Sequence, residues 1–426
     1  MNILIIGAGG REHTFAWKLK QSPLCKELFI APGNAGTALC GTNLNISVTD
    51  FENLAKAAIK NEIDLILVGP EEPLVKGITD FFKSNTDTEH IKIIGPSKTA
   101  SQLEGSKAFA KEFMQRHNIP TAAYREFSQE NFEEGVEYIR HHKLPIVLKA
   151  DGLAAGKGVL ICNSIAEALA EFELMILHEK FGEAGRKLVV EDFLIGMEIS
   201  VFVLTDGKNY LLLPEAKDYK RIGEGDTGLN TGGMGAVSPV PIMTGMLKEK
   251  IIEKIVKPSV LGLQKDNYNY KGFLFIGLMV DNGEPRVIEY NCRMGDPETE
   301  AVIPRIKNDF LQLLNATANG TLDSINLEID ERTTVAIVAV SGGYPGDFEK
   351  GEIISGLEKA RVTDSLLFHS GTIQKENKVV TNGGRVLVAV SYAETISEAA
   401  KKSVEDLKNI SFNNMKYRKD IGYEFV

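Results

Sequence analysis

Four short apolar runs in the first hundred residues constrain the fold more than any other feature. Asn2–Ile6, Glu27–Ala31, Leu65–Gly69 and Lys92–Gly95 each run into a loop rich in glycine or proline, and a helical stretch, Phe51–Asn61, opens at Asp50. Apolar strands alternating with helices predict an α/β domain built on a doubly wound parallel sheet, with ligands at the carboxyl ends of the strands. The loops at those ends are Gly7-Ala8-Gly9-Gly10, 31–36, Gly69-Pro70-Glu71-Glu72-Pro73 and Gly95-Pro96-Ser97.

A chain of 426 residues divides into two to four domains at about 150 residues each. The divisions expected are an N-terminal substrate-binding α/β domain (1–103), a linker helix (104–120) and a small α+β lid (121–190), then a larger central domain (191–325) and a C-terminal αβ module (326–426). The lid helix near 164–178 opens with the capping box Ser164-x-x-Glu167, between strands Ile146–Ala150 and Leu188–Val190. The glycine-rich segment 223–235 interrupts the central domain, and the strand Thr333–Val340 opens the last module. The chain ends near the close of that module, so fusion to a further enzyme is not expected.

Charge and cysteine usage exclude several classes. A net charge of −10 argues against nucleic acid or an anionic membrane surface as partner. No apolar run reaches the ~18 residues of a membrane span, and the N-terminus lacks the cationic region of a signal peptide. Cys25, Cys40, Cys162 and Cys292 show no CxxC spacing, so neither a disulfide framework nor a zinc site is indicated. A cytoplasmic enzyme acting on small molecules as a monomer is the expectation.

The chemistry concentrates in Val287-Ile288-Glu289-Tyr290-Asn291-Cys292-Arg293-Met294-Gly295-Asp296. On a strand, Glu289 and Asn291 point to one face. Carboxylate plus carboxamide oxygen suits Mg²⁺ or Mn²⁺, ions that share nucleotide phosphates. Arg293, two residues on, is expected on the same face, where it can stabilise a phosphoryl group in transfer. The plain alternative is an edge strand with a polar face and a turn, Arg293 pairing with Asp296 or Glu298.

Two glycine loops invite misreading. Gly7-Ala8-Gly9-Gly10-Arg11-Glu12 follows a strand, but Glu12 stands where a dinucleotide fingerprint needs its third glycine. Gly9 and Gly10 still offer N–H groups to a small phosphate at a helix start, or form a turn with no ligand. Lys149 to Val159 is not a Walker A loop, because Gly158 follows Lys157 where Ser or Thr would ligate Mg²⁺. It resembles a hairpin whose Gly156, Lys157 and Gly158 fold over triphosphate, with Lys149 reaching phosphate oxygens; the alternative is a surface hairpin with solvated lysines. Downstream, Val189 to Glu198 reads as a strand passing into a hinge that can offer backbone groups to adenine, before a carboxylate able to accept from ribose hydroxyls.

Taken together, these residues resemble the ATP-grasp superfamily. Within it the chain is similar to the phosphoribosylamine–glycine ligase family, through GGREH at 9–13, APGNAGT at 31–37, GPEEPLVKG at 69–77, QLEGSKAFAK at 102–111, KADGLAAGKGV at 149–159, DTGLNTGGMGA at 226–236, EYNCRMGDPET at 289–299, GGYPGDF at 342–348, TNGGRVL at 381–387 and RKDIG at 418–422. The resemblance implies phosphate lysines at Lys107 and Lys149, a nucleotide hinge at Glu191, Phe193 and Leu194, a ribose acid at Glu198, and metal ligands at Glu289 and Asn291. It implies substrate contacts at Gly9, Gly10, Asp218, Arg293 and Asp296. Where the family often has Ser-Gln-Asp-His-Lys, this chain has Ala216-Lys217-Asp218-Tyr219-Lys220, which leaves Asp218 a candidate contact to the glycine amine. The stretch Phe273–Val280 carries no acid, so no ligand of a second metal ion is assigned.

The implied reaction couples ATP, glycine and 5-phosphoribosylamine through glycyl phosphate. Two other readings remain open: an ATP-grasp ligase or carboxylase for another carboxylate, and a non-catalytic nucleotide sensor. The strings at 226–236 and 289–299 disfavour the first. A sensor would be expected to lose a metal ligand or a phosphate lysine.

Overall fold

The computed structural model describes residues 1–152, 158–359 and 365–426. The N-terminal sheet is parallel throughout, in the spatial order Thr42–Asn43, Glu27–Pro32, Asn2–Gly7, Leu65–Val68, Lys92–Ile94. Ile3 to Ile6 are fully buried, as continuous apolar runs with helices on both faces should be. Asn2–Gly7 lies between Glu27–Pro32 and Leu65–Val68, so the chain reverses its winding there and opens a crevice beside Gly7 and Gly69. Asp50 caps Phe51–Lys60 by accepting from the Asn53 N–H.

The expected linker helix is two helices. Gln102–Gly105 stops at Ser106, whose extended backbone starts Lys107–Arg116 and whose Oγ accepts from the Phe109 N–H. Asp151, from the lid, accepts from Ser106 Oγ at 2.9 Å and from the Ala108 N–H at 3.1 Å. A single helix is thus broken to receive a contact distant in sequence.

The lid is a four-stranded antiparallel sheet ordered Tyr124–Ser128, Lys187–Asp192, Ile146–Ala150, Val159–Cys162. Helices Phe132–Arg140 and Ile165–Ile176 pack their apolar sides on it around Phe127, Leu148 and Phe172. Ser164 caps the second helix as expected. Glu167 completes the cap one residue early, because its carboxylate accepts from the Asn163 N–H at 2.8 Å. The strand entering the hinge runs through Asp192, so Glu191 is a strand residue.

The central sheet is antiparallel, ordered Tyr210–Leu212, Met197–Thr205, Gly272–Asp281, Glu284–Asn291. The C-terminal sheet, ordered Lys217–Asp218, Gly235–Ser238, Thr333–Val340, Arg385–Ala393, Ser365–His369, takes its first two strands from the central stretch of sequence. The expected division at 325/326 therefore separates chain segments that share one sheet. Segment 223–235 contains part of a small hairpin, Arg221–Gly223 against Thr227–Asn230. Among the described residues no helix is long and apolar enough to cross a membrane.

Candidate active site

The lid hairpin, the helix Lys107–Arg116 and the end of the strand Glu284–Asn291 enclose a cavity of about 200 Å³, lined by Lys107, Lys111, Lys149, Gly158, Glu191, Glu289, Asn291 and Arg293. Seven of these were legible in the sequence; Lys111 was not. Gly156 and Lys157 lie outside the described residues.

Glu289 and Asn291 share a strand face as expected: Asn291 Nδ2 donates to Glu289 Oε1 at 3.4 Å. Across the sheet Glu289 faces Gly277, so no second acid stands opposite it. Partial desolvation raises the Glu289 carboxyl, but the charges of Lys220, Lys149 and Lys107 outweigh it and hold the group below its ordinary value. Among the described residues no group of three or more acids, histidines or cysteines could hold a metal unaided. Two hard oxygens and no third suit a divalent cation that arrives with a nucleotide and completes its shell with phosphate oxygens and water.

Arg293 differs from expectation. The strand ends at Asn291, and Arg293 lies in the turn beyond it. Its Nη2 still donates to Asn291 Oδ1 at 3.3 Å. Its ion-pair partners are Glu104, at 2.7 Å from Nη2, and Glu71, at 3.3 Å from Nε, in place of Asp296 or Glu298. Burial pushes the Glu104 carboxyl up to about 7, with Glu71 adding to the rise and Arg293 opposing it. Both acids lie in quoted strings, yet only the fold brings 71, 104 and 293 together.

Lys149 Nζ lies 3.0 Å from Glu191 Oε2 and donates to the Ile288 carbonyl at 3.2 Å. Lys107 donates to the Gly152 carbonyl at 3.0 Å. Burial lowers the Lys107 ammonium despite Glu289 and Asp151 nearby. Phe193, Leu194 and Glu198 fall beyond the cavity wall, on the connection to Met197–Thr205 and at its start. Glu198 and Asp218 share one partner, the Lys220 ammonium. Burial of Glu298, reinforced by the nearby Asp218 charge, lifts its carboxyl to about 7.

Gly9, Gly10 and Asp296 gather away from the cavity, where the N-terminal and C-terminal units meet. Arg385 pairs with Asp296 at 3.0 Å, and Arg11 donates to the Met294 carbonyl at 3.0 Å. The helix start is largely capped from within. The Gly9 N–H donates to Glu12 Oε2 at 2.6 Å, and the Arg11 N–H to Asp296 Oδ2 at 3.4 Å. The buried Glu12 packs on Gly7 and Gly69, where a Cβ would collide with it. That filled space is the physical reason a dinucleotide fingerprint is broken here.

Models of phosphoribosylglycinamide synthetase match in series: its N domain over residues 1–104, its ATP-grasp (A) domain over 105–299 and its C domain over 334–424. The chain is 47% identical to phosphoribosylamine–glycine ligase of Haemophilus influenzae, covering 100% of this chain and 99% of that one. It is 46% identical to that of Pseudomonas aeruginosa, covering 100% and 98%. The crystal structure of phosphoribosylamine–glycine ligase from Thermotoga maritima superposes with a TM-score of 0.84 at 34% identity, over 99% of this chain and 100% of that one. The biotin carboxylase domain of Hydrogenobacter thermophilus 2-oxoglutarate carboxylase gives 0.76 at 16% identity, over 99% and 92%, a likeness of fold alone.

Proposed function

The chain belongs to the phosphoribosylglycinamide synthetase (phosphoribosylamine–glycine ligase) family, and from that premise we propose how its cleft carries out the ligation. Glycine and 5-phosphoribosylamine are joined at the expense of ATP, giving glycinamide ribonucleotide, ADP and phosphate, a step of purine biosynthesis. The observation that carries the reading is the convergence of Lys107, Lys149 and the Glu289/Asn291 pair on one cavity.

A carboxylate is a poor electrophile, so glycine is activated first. Its carboxylate oxygen attacks the γ-phosphorus, an O–P bond forms, and the bond to ADP breaks. The amine of phosphoribosylamine then attacks the carbonyl carbon of glycyl phosphate; phosphate leaves and the nitrogen loses a proton. Lys149 and Lys107 offset charge on the nucleotide phosphates, and Arg293 offsets charge on the phosphoryl group in transfer. Glu289 and Asn291 would hold Mg²⁺ or Mn²⁺, which when bound supplies charge neutralisation across those phosphates. Gly158, on the cavity wall, stands by the triphosphate. Glu191, with the Phe193 and Leu194 backbone, takes adenine, and Glu198 takes the ribose hydroxyls. Asp218, whose carboxylate also pairs with Lys220, takes the glycine ammonium. Gly9, Gly10 and Asp296 take phosphoribosylamine. Closure of 223–235 excludes water from two easily hydrolysed intermediates. The protein acts on these small molecules as a cytoplasmic monomer, without nucleic acid or membrane.

ADP release is the test, with glycine alone and with glycine plus phosphoribosylamine generated in situ. Sustained release is expected only with both. Equal release without either substrate, or faster release with another carboxylate, would overturn the assignment.

A further inference from the structure

Lys111 lies one turn beyond Lys107 on the helix Lys107–Arg116, so both lysines face the cavity. Its side chain is 2% exposed, a rare burial for a lysine and tolerable only with partners. Its Nζ lies 3.2 Å from Glu191 Oε2, donates to Thr121 Oγ1 at 2.8 Å, and sits 5.4 Å from the centre of the Tyr124 ring. Thr121 Oγ1 in turn donates to the Val287 carbonyl at 2.7 Å, two residues before Glu289. Lys111 therefore ties the helix to the hinge strand and to the strand that carries Glu289 and Asn291.

Glu191 is the point where these ties meet. Lys111 and Lys149 both stand on its Oε2, at 3.2 and 3.0 Å. Its Oε1 is buried and has no hydrogen-bond partner among the described residues. Leaving a buried carboxylate oxygen unmatched is costly, so the arrangement calls for a donor from a ligand. Two ammonium groups on one oxygen fix the rotation of the carboxylate. They also leave a net positive charge, so Lys149 is not held by Glu191 alone and its charge remains available to phosphate.

Resting on the assignment of this cavity to ATP, we propose that Lys111 is a positioning residue for nucleotide specificity: with Lys149 it holds one oxygen of Glu191 and presents the other to the exocyclic amine of adenine. Guanine carries a carbonyl oxygen where adenine carries that amine. A fixed carboxylate oxygen accepts from the amine and repels the carbonyl oxygen. Lys111 touches neither base nor phosphate and acts through Glu191.

The test begins with wild-type ADP release dependent on both glycine and phosphoribosylamine; its absence would count against the reaction, not against Lys111. Lys111→Met is expected to raise KM for ATP about tenfold, the scale of one misheld hydrogen bond to a charged group. It should lower the preference for ATP over GTP by a similar factor while kcat and the KM for glycine stay near wild type. Lys111→Arg should restore much of the preference. In a Glu191→Gln background, Lys111→Met should add little, because the effect passes through Glu191. Thr121→Val removes only the hydroxyl that steadies Nζ and should lower the preference about threefold, which keeps the idea testable if Lys111→Met fails to fold. Unchanged ATP-over-GTP preference in Lys111→Met or Thr121→Val would overturn the proposal, as would independent effects of Lys111 and Glu191.

Discussion

Arg293→Lys separates a catalytic arginine from a structural strut, and the geometry sets the size of both effects. The guanidinium contacts Glu104, Glu71 and Asn291 at once, at 2.7, 3.3 and 3.3 Å. A lysine ammonium reaching Glu104 is a single point and cannot also span the other two. The Glu71 side chain is about a third exposed, so after screening its pair is worth about 1 kcal/mol at most. The long bond to Asn291 is worth about 1 kcal/mol. A total of about 2 kcal/mol shifts melting by roughly 4–8 °C, which leaves the enzyme folded at 25 °C. If Arg293 also stabilises the phosphoryl group in transfer, kcat falls about 10²-fold or more, or at least about 2.7 kcal/mol of barrier. Arg293→Met should behave differently, because it leaves Glu104 buried and unpaired at a cost of about 3–5 kcal/mol. The assay is kcat at saturating ATP and glycine beside a thermal melt. A lysine variant with kcat within threefold of wild type and a lowered Tm would refute the catalytic role.

Replacing the oxygen pair, Glu289→Gln with Asn291→Ala, should reduce Mg²⁺-supported ligation below a few per cent while circular dichroism stays unchanged; substantial residual turnover would move the metal site elsewhere. Gly10→Ala introduces a Cβ that meets Glu300 Oε1 and Ser370 Oγ, and steady-state kinetics should show a raised KM for phosphoribosylamine with that for ATP unchanged. NADH should not bind at micromolar concentration by fluorescence titration, since Glu12 fills the space beside Gly7 and Gly69. Burial lowers the Lys111 ammonium to about 8 even with Glu191 beside it. Its charge is therefore present below that pH and lost as pH rises through it. KM for ATP should climb across about pH 8 in the wild type, and this limb should vanish in Lys111→Arg, whose guanidinium stays protonated.

Local pattern was enough for the elements and the chemical types. The fully buried runs at 3–6 and 65–68 are strands because an apolar run that short, ended by glycine, has little else to form. The Glu-x-Asn pair is legible because strand periodicity alone puts both side chains on one face. Lys111 left a fainter signal, its four-residue spacing from Lys107, but any helix carries such pairs. Glu104 and Glu71 offered none, since nothing in either local sequence says that Arg293 will stand between them.

What the sequence determined by itself was therefore whatever depends on neighbours along the chain: periodicity, caps, the broken dinucleotide fingerprint, and the family, through strings spread over its whole length. Only the tertiary structure decided what depends on neighbours across it. The linker helix breaks at Ser106 because Asp151 reaches its cap from 45 residues away, and Lys217–Asp218 and Gly235–Ser238 leave the central stretch to edge the C-terminal sheet. Lys220 stands between Glu198 and Asp218, and Glu191 receives Lys111 and Lys149 on one oxygen. Buried charge must be matched where it lies. The partners come from whichever segments the packing of apolar faces brings close, and that is a property of the whole fold.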